Sequence, residues 1–302
     1  AAAHVMIKVL GTVVIMMILP FYTSLIEITA TDISRQVANA HTIFNVIIAL
    51  MFLPFVTQYS KFIRKLLPDD KNEKVLGALF LNRTLITASR AAAVDAVRKE
   101  MIRLGISALR MIEACRTMFL SDNEKLVAEI DRMERNVNEI THDIVRYGTE
   151  VGQAGLSSDL SMILNSCISG VGDIERIGDH ATNLVEMYQF LQDHKLKFSP
   201  KALEECKEMF DLVISAVAKS VQALEDENPK IAQEVLDLED RIDYMEKTLR
   251  ARHIARLNAG GCSPDAGVIF IDILSNLERV GDHAHNIAMV VFDIESMHSR
   301  GA

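Results

Sequence analysis

The chain has 302 residues, a net charge of −9 at pH 7 and 49% hydrophobic residues, and it contains no tryptophan. This length is sufficient for two domains, and the acidic balance argues against nucleic acid as a partner. The four cysteines lie far apart and form no CxxC pair. They are therefore expected as reduced core residues rather than as a disulfide framework.

Two long apolar runs open the chain, and each is long enough to cross a bilayer. Residues 9–26 carry no charged side chain, and residues 36–60 carry no acid or base other than a histidine. A cluster of lysine and arginine follows within residues 61–74. The positive-inside rule places this end in the cytoplasm. Residues 1–65 are therefore predicted to form a transmembrane helical hairpin, with a buried hairpin of a soluble protein as the alternative.

The two apolar runs also resemble each other. AAAHVMIKV at the start of the chain matches ANAHTIFNV from residue 38, and each run contains Leu-Pro-Phe. Internal duplication within the membrane is common in transporters. Because the chain opens inside one copy of the motif and without methionine, we expect it to be a fragment whose earlier spans lie upstream.

The rest of the chain is predicted to be helical after a linker over residues 66–91. Ser199 with Pro200, and Asn228 with Pro229, are helix-start signals, since each pair combines an N-cap residue with proline at the first helical position. Six predicted helices fall into two groups of three, over 92–195 and 199–299. This pattern predicts an all-α fold, a membrane hairpin followed by two repeated three-helix bundles in residues 92–302.

An acidic motif fixes the period of the repeat. DIERIGDHATN begins at residue 173, and NLERVGDHAHN begins at residue 276. Each segment has a glutamate and an aspartate four residues apart: Glu175 with Asp179, then Glu278 with Asp282. On a helix this spacing puts both carboxylates on one face, where the like charges repel. A cationic partner is therefore expected at each pair.

A second helix of each predicted bundle carries a related pair. Glu239 and Asp243 are four residues apart in the second bundle, whereas the equivalent pair in the first is Glu134 and Asn138, so one acid is missing. Four carboxylates converging from two antiparallel helices would form an oxygen-rich site that suits iron, manganese or magnesium. The alternative is a solvated acidic face neutralised by arginines, and repetition in corresponding helices favours the metal site.

Other residues of the acidic motif also bear on this site. Gly178 and Gly281 lie in the middle of the two copies, where a glycine indicates close approach of a backbone or a ligand. Three histidines, His180, His283 and His285, are either metal ligands, groups that support the ligands, or packed polar side chains.

The motif and its setting together resemble two known families. ERIGDHATN and ERVGDHAHN, in duplicated three-helix bundles, resemble the PhoU family of phosphate-signalling proteins, whose ExxxD motifs bind multinuclear metal clusters. ANAHTIFNV, Leu-Pro-Phe and the linker LNRTLITASRAA resemble the bacterial sodium/phosphate cotransporter family, whose members often end in a PhoU-like domain. The transport motifs of that family, rich in Gln-Ser-Ser and Gly-Thr-Thr, are absent from this chain.

The PhoU resemblance implies which residues hold metal. Its ExxxD pattern falls on six acids: Glu175, Asp179, Glu239, Asp243, Glu278 and Asp282. Glu134 is a weaker candidate, because Asn138 departs from the pattern and puts the first cluster in doubt.

The predicted function is the carboxy-terminal part of a sodium-dependent phosphate cotransporter, multi-pass in the plasma membrane, with a cytoplasmic PhoU-like regulatory domain. The expected partners are upstream transporter helices, the membrane, phosphate and sodium through the transport region missing here, and a second copy in a homodimer. The alternative is a membrane-anchored PhoU-type signalling adaptor without transport activity. A di-iron carboxylate enzyme would need Glu-x-x-His on two helices. Only Glu139 with His142 matches, so no enzyme activity is expected.

Overall fold

A computed structural model describes residues 8, 11, 12, 14–53, 77–260 and 263–298 of the chain. The chain divides into two compact units, residues 1–74 and residues 75–302. The first unit contains α1 (Leu19–Glu27) and α2 (Ile33–Phe52). The second contains α3 (Arg83–Ala88), α4 (Arg90–Ser121), α5 (Lys125–Gln153), α6 (Ser158–Asp193), α7 (Pro200–Asp226), α8 (Pro229–Asn258) and α9 (Pro264–His298).

The first apolar run is divided rather than forming one continuous helix. Residues 14–17 are helical, the chain turns at Ile18, and α1 then begins with Pro20 in its first turn. Proline has no backbone N–H and clashes with the preceding turn, so it begins a helix far more readily than it continues one. The apolar residues on either side of Ile18 therefore lie in separate short helices.

The second apolar run also differs from its prediction. α2 begins at Ile33, and its first thirteen residues include an arginine, a glutamine, a histidine and two asparagines. Within the described residues no helix is both long and apolar enough to cross a membrane, so the transmembrane hairpin predicted for residues 1–65 is not supported. Residues 54–60 of this run and the basic cluster at 61–74 lie outside the described residues.

The second unit consists of two three-helix bundles with a shared core. Helices α4, α5 and α6 form the first bundle, and α7, α8 and α9 form the second; short connections make successive helices antiparallel. The bundles meet where α6 packs on α9 and α4 packs on α7. One continuous cluster of buried apolar side chains extends through all six helices. The predicted repeat of helical bundles is therefore confirmed.

The helix ends repeat as the helices do. Asp122 after α4 and Glu227 after α7 both adopt the left-handed conformation, with φ of 53° and 47°. Both predicted start signals are also confirmed. The side chains of Ser199 and Asn228 each accept a hydrogen bond from a backbone amide in the first turn of the helix that follows, α7 or α8.

Part of the predicted linker packs against the first bundle. The carboxylate of Glu100, which is fully buried in α4, accepts hydrogen bonds from the backbone amides of Leu79 and Phe80. Arg103 donates to the same carboxylate at 2.8 Å and to the carbonyl oxygen of Gly77 at 3.0 Å. Residues 77–80 thus supply donors that a buried carboxylate requires.

The cysteines agree with their prediction where they are described. Cys115, Cys167 and Cys206 are buried free thiols. Burial raises the pKa of Cys167 and of Cys206 to about 12, so both stay protonated at neutral pH. Cys262 lies outside the described residues.

The close approach indicated by the glycines of the acidic motif is confirmed at Gly281. A Cβ atom added there would lie 3.0 Å from the side chain of Ile242 on α8. A Cβ atom added at Gly178 would lie 3.6 Å from the side chain of Val137 on α5, which is ordinary van der Waals contact. The glycine thus lets α9 lie unusually close to α8.

Replacing Gly178 with alanine should stabilise the protein, whereas replacing Gly281 should not. Alanine is favoured over glycine in a helix by about 1 kcal/mol. At Gly281 the added methyl group overpacks against Ile242, at a typical cost of about 1–3 kcal/mol. Urea unfolding of both variants measures the difference. Equal gains in unfolding free energy would contradict the close approach of α8 and α9.

Candidate metal site

Three predicted ligands come together in the second bundle. Glu239 and Asp243 lie one turn apart on α8, and Asp282 lies on the neighbouring α9. Ile242 and Gly281 pack between these two helices, which brings the flanking acids into register. As a result, one carboxylate oxygen of each acid lies within 4.8 Å of an oxygen of the other two.

Burial and like charge both act against ionisation of two acids on α9, Asp282 and Glu278. Burial raises the pKa of Asp282, and the negative charge of Asp243 raises it further. Glu278, one turn before Asp282 on α9, has a pKa raised by burial and then by Asp282 and Asp243. The cluster therefore concentrates negative charge that a bound cation would stabilise.

Two cationic or polar side chains also lie beside the cluster. Lys247 donates a hydrogen bond to Asp243 at 3.0 Å, but 72% of its side chain is exposed, so solvent screens much of this interaction. The ring nitrogen Nδ1 of His285 lies 3.5 Å from a carboxylate oxygen of Glu239. The sequence interpretation overlooked Lys247, although its position four residues after Asp243 on one helix was the available signal.

The chemistry of the three acids fits a hard metal ion. Carboxylate oxygens are the preferred ligands of magnesium and also bind manganese and iron. Oxygen ligands lie about 2.0–2.6 Å from such an ion, so the ligands of one ion lie within about 5 Å of each other. The separations among Glu239, Asp243 and Asp282 meet this requirement. Glu278 is partly buried beside them and is not one of the three mutually close acids.

The first bundle does not bring its acids together in the same way. Asn138 donates a hydrogen bond to Glu134 at 2.6 Å, which uses one carboxylate oxygen internally. Asp179 lies 3.9 Å from the guanidinium group of Arg176. In the part of the chain that the structure describes, Glu134, Glu175 and Asp179 form no mutually close group like that of the second bundle.

Two histidines of the motif lie at the contact between the bundles. The rings of His180 and His283 are 5.6 Å apart. Nδ1 of His180 is 2.9 Å from the side-chain oxygen of Asn276 on α9, and Nδ1 of His283 is 2.9 Å from a carboxylate oxygen of Asp173 on α6. Burial lowers the pKa of His180. Both histidines thus make polar contacts between α6 and α9.

The comparisons with known proteins agree with this architecture. A family model described as the PhoU domain matches residues 101–187 and 206–291. A phosphate-specific transport system accessory protein, PhoU homolog 1 of Thermotoga maritima, is 33% identical over 168 residues, which cover 55% of this chain and 68% of that protein. A PhoU homolog 1 of Methanothermobacter thermautotrophicus is 26% identical, covering 64% of this chain and 87% of that protein.

Solved structures share the fold. PhoU from Pseudomonas aeruginosa superposes with a TM-score of 0.64 at 20% identity, covering 70% of this chain and 99% of that chain. The phosphate transport system regulatory protein PhoU from Streptococcus pneumoniae gives a TM-score of 0.62 at 20% identity, covering 69% and 97%. At this identity the likeness establishes the fold alone.

The comparisons bear on three predictions from the sequence: the membrane location, the family resemblance and the absence of enzyme activity. The predicted multi-pass location in the plasma membrane is wrong: the matched relatives are PhoU accessory proteins, and the first apolar run is interrupted at Ile18. The comparisons support the PhoU part of the resemblance and give no support to the sodium/phosphate cotransporter part. The expectation of no enzyme activity is confirmed, because PhoU homologues are regulatory proteins of phosphate transport.

Asp282→Asn should stabilise the metal-free protein at neutral pH, whereas Asp179→Asn should change its stability little. The folded-state pKa of Asp282 is raised, so its ionisation lowers stability as pH rises above the ordinary value of 3.8. Removing this charge should stabilise by about 0.3–1 kcal/mol after solvent screening. Asp179 has Arg176 nearby and, among the described residues, belongs to no comparable cluster. Denaturant unfolding of both chelated variants at pH 7 tests this, and destabilisation by Asp282→Asn would contradict it.

The family match extends over both bundles. Its two segments fall within α4–α6 and α7–α9 and together include more than half of the chain. The same six helices contain both copies of the acidic motif and the candidate metal site. The chain therefore belongs to the PhoU domain family.

Proposed function

We propose that this chain is a non-catalytic PhoU-type accessory protein that regulates a phosphate transport system. The observation that carries the proposal is the family match across both bundles. The names of matched relatives support it, since these are accessory proteins of phosphate-specific transport systems. An adaptor of this kind fits the comparisons better than a sodium-dependent cotransporter does.

The second part of the proposal is that the second bundle holds a metal ion. Glu239, Asp243 and Asp282 would be its ligands, and iron, manganese or magnesium would suit these oxygens. A bound ion would supply positive charge between α8 and α9. The support is the mutual proximity of the three acids and the raised pKa of Asp282.

Residues of the chain connect this site to the contact between the bundles. Asp282 is followed directly by His283, whose ring contacts Asp173 of the first bundle at 2.9 Å. Asn286, one turn further along α9, donates to the same carboxylate of Asp173 at 2.9 Å. The position of α9 at the acidic cluster is therefore tied to its position against α6. We propose that metal occupancy stabilises the docked arrangement of the two bundles.

The regulatory role is tested by deleting the gene in its host. Uptake of labelled phosphate is measured after growth at high and at low phosphate. In the parent strain we expect uptake to fall at high phosphate, and in the deletion strain we expect this response to be lost and then restored by the intact chain. An unchanged response in the deletion strain would overturn the proposal. Sodium-driven phosphate uptake catalysed by the purified gene product would instead favour the cotransporter.

Metal binding is tested by a matched pair of substitutions. Asp282→Asn should lose a larger fraction of bound metal than Asp179→Asn, because it removes one of three mutually close ligands. A neutral amide still offers an oxygen but contributes no charge to offset the desolvation of the cation. Elemental analysis of both variants after mild chelation measures the loss. Equal metal content in the two variants, or none in the metal-replete parent, would leave the acids as a solvated face.

A further inference from the structure

A cavity of about 200 Å³ lies at the end of the second bundle where α7 and α9 begin. Its walls include Lys197 and Ser199 before α7, His253 near the end of α8, and Ser263 and Gly267 at the start of α9. None of these residues belongs to the acidic cluster. Along α8, His253 is ten residues beyond Asp243, or about 15 Å at the helical rise per residue.

His253 presents a buried donor without an acceptor. The residue is 2% exposed, and its ring stacks on Phe270 with centroids 4.5 Å apart. Its Nδ1 atom lies 3.3 Å from Nη2 of Arg256, and a guanidinium nitrogen can only donate, so Nδ1 is the acceptor. Burial, and then the charge of Arg256, lower the pKa of His253, so the ring is neutral at pH 7. The proton therefore resides on Nε2, which is buried and has no hydrogen-bond partner among the residues that the structure describes.

Gly267 and His253 both line the cavity. A Cβ atom added at Gly267 would lie 3.0 Å from Nε2 of His253 and 2.8 Å from the side chain of Leu257. The glycine thus lets the backbone of α9 pass close to the edge of the ring that carries the proton. A buried N–H group left without an acceptor costs free energy, so an acceptor that reaches Nε2 from the cavity would stabilise the bundle.

Packing alone does not explain a histidine at this position. In the first bundle the residue equivalent to His253 is Gly148, and the residue equivalent to Gly267 is Leu164. A Cβ atom added at Gly148 would lie 3.5 Å from the side chain of Leu164. The large residue is thus on the third helix of the first bundle (Leu164) and on the second helix of the second bundle (His253). An apolar leucine is sufficient in the first bundle, where no donor faces a ligand.

Two helix N-termini meet at the same cavity. α7 and α9 both begin with Ser-Pro-x-Ala, and the serine and alanine of each segment line the cavity. Pro200 and Pro264 have no N–H, and the amide of Ala202 already donates to the side chain of Ser199. The remaining amides of the first turns have no intrahelical acceptor, and the helix dipole favours an anion there. Lys197 adds a positive charge, whereas Asp265 in the first turn of α9 adds a negative one.

The buried charges nearby are already balanced. Arg256 forms two hydrogen bonds to the carboxylate of Glu205, at 2.9 and 2.5 Å, and Glu205 is 1% exposed. This ion pair lies on the Nδ1 side of the His253 ring and leaves no net buried charge. The groups that face the cavity are thus donors and one exposed lysine.

We propose that this cavity binds a small oxyanion of the phosphate or sulfate class, held by Nε2–H of His253, the amides at the starts of α7 and α9, and Lys197. Convergence of donors from three chain segments suits an ion with several acceptor oxygens. The volume exceeds that of several water molecules at about 30 Å³ each. This site is separate from the acidic cluster and does not depend on the proposed regulatory role.

Binding is tested with the full chain and inorganic phosphate. Isothermal titration and the thermal midpoint are measured in phosphate and in sodium chloride of equal ionic strength. Phosphate should raise the midpoint of the parent protein through preferential binding to the folded state. Lys197→Ala and Gly267→Ala should each weaken binding about tenfold or more. The first removes the cation, and the second adds a methyl group 3.0 Å from Nε2 and 2.8 Å from the side chain of Leu257, which displaces the ring from its position at the cavity.

Lys230→Ala is the matched control for charge, because Lys230 lies at the opposite end of the second bundle, at the start of α8. It should bind phosphate as the parent does. Equal phosphate affinity of Lys197→Ala and Lys230→Ala would overturn the proposal. Unchanged phosphate affinity of Gly267→Ala would also overturn it. His253→Leu, which replaces the ring with an apolar side chain, should remain folded and lose binding. Should it unfold, the Lys197 and Gly267 variants still decide the outcome, and sulfate in place of phosphate shows how selective the site is.

Discussion

The packing of α6 against α9 positions both copies of the acidic motif. These are the two longest described helices, at 36 and 35 residues, and each carries one copy of the acidic motif. His180 contacts Asn276, and His283 contacts Asp173, so the polar contacts cross the interface in both directions. Because buried polar groups require partners, these pairs specify one register among the many that apolar surfaces alone would allow. The orientation of each motif toward its outer helix, α5 or α8, follows from that register.

The sequence predicts much of this arrangement for a physical reason. Acids four residues apart lie one turn apart on one face when the segment is helical, so two such pairs in similar helical segments indicate the repeat and the shared face. The prediction of a membrane span at residues 9–26 rested on apolar length, with a helix break expected only near the end of the run at Pro20, whereas in the structure a new helix begins there. Lys247 was also missed, although its position four residues after Asp243 on one helix was a signal that the sequence contained. The cavity beside His253 requires three distant segments, and no local pattern reveals that they meet.

The two bundles share a fold but differ in polar detail. In the first, Asn138 stands where the second has Asp243, and Leu164 stands where the second has Gly267. Neither difference alters the helix framework, because both occur on helix faces that pack in the same way. The second bundle thus carries the close group of acids and the buried histidine. In the first bundle, Glu100 binds backbone amides of the segment that precedes α3. Duplication supplied one framework, and side-chain substitution gave its two copies different chemistry.

The buried carboxylate of Glu100 determines where an autonomous fragment of the second unit must begin. A fragment cut at residue 92, just before the first apolar turn of α4, would retain all six long helices. It would nevertheless remove the amides of Leu79 and Phe80 and leave Glu100 short of two donors. Truncation would then act as a destabilising core mutation of about 1–3 kcal/mol. The boundary for expression and crystallisation therefore lies at or before Gly77, outside the helices that define the bundle.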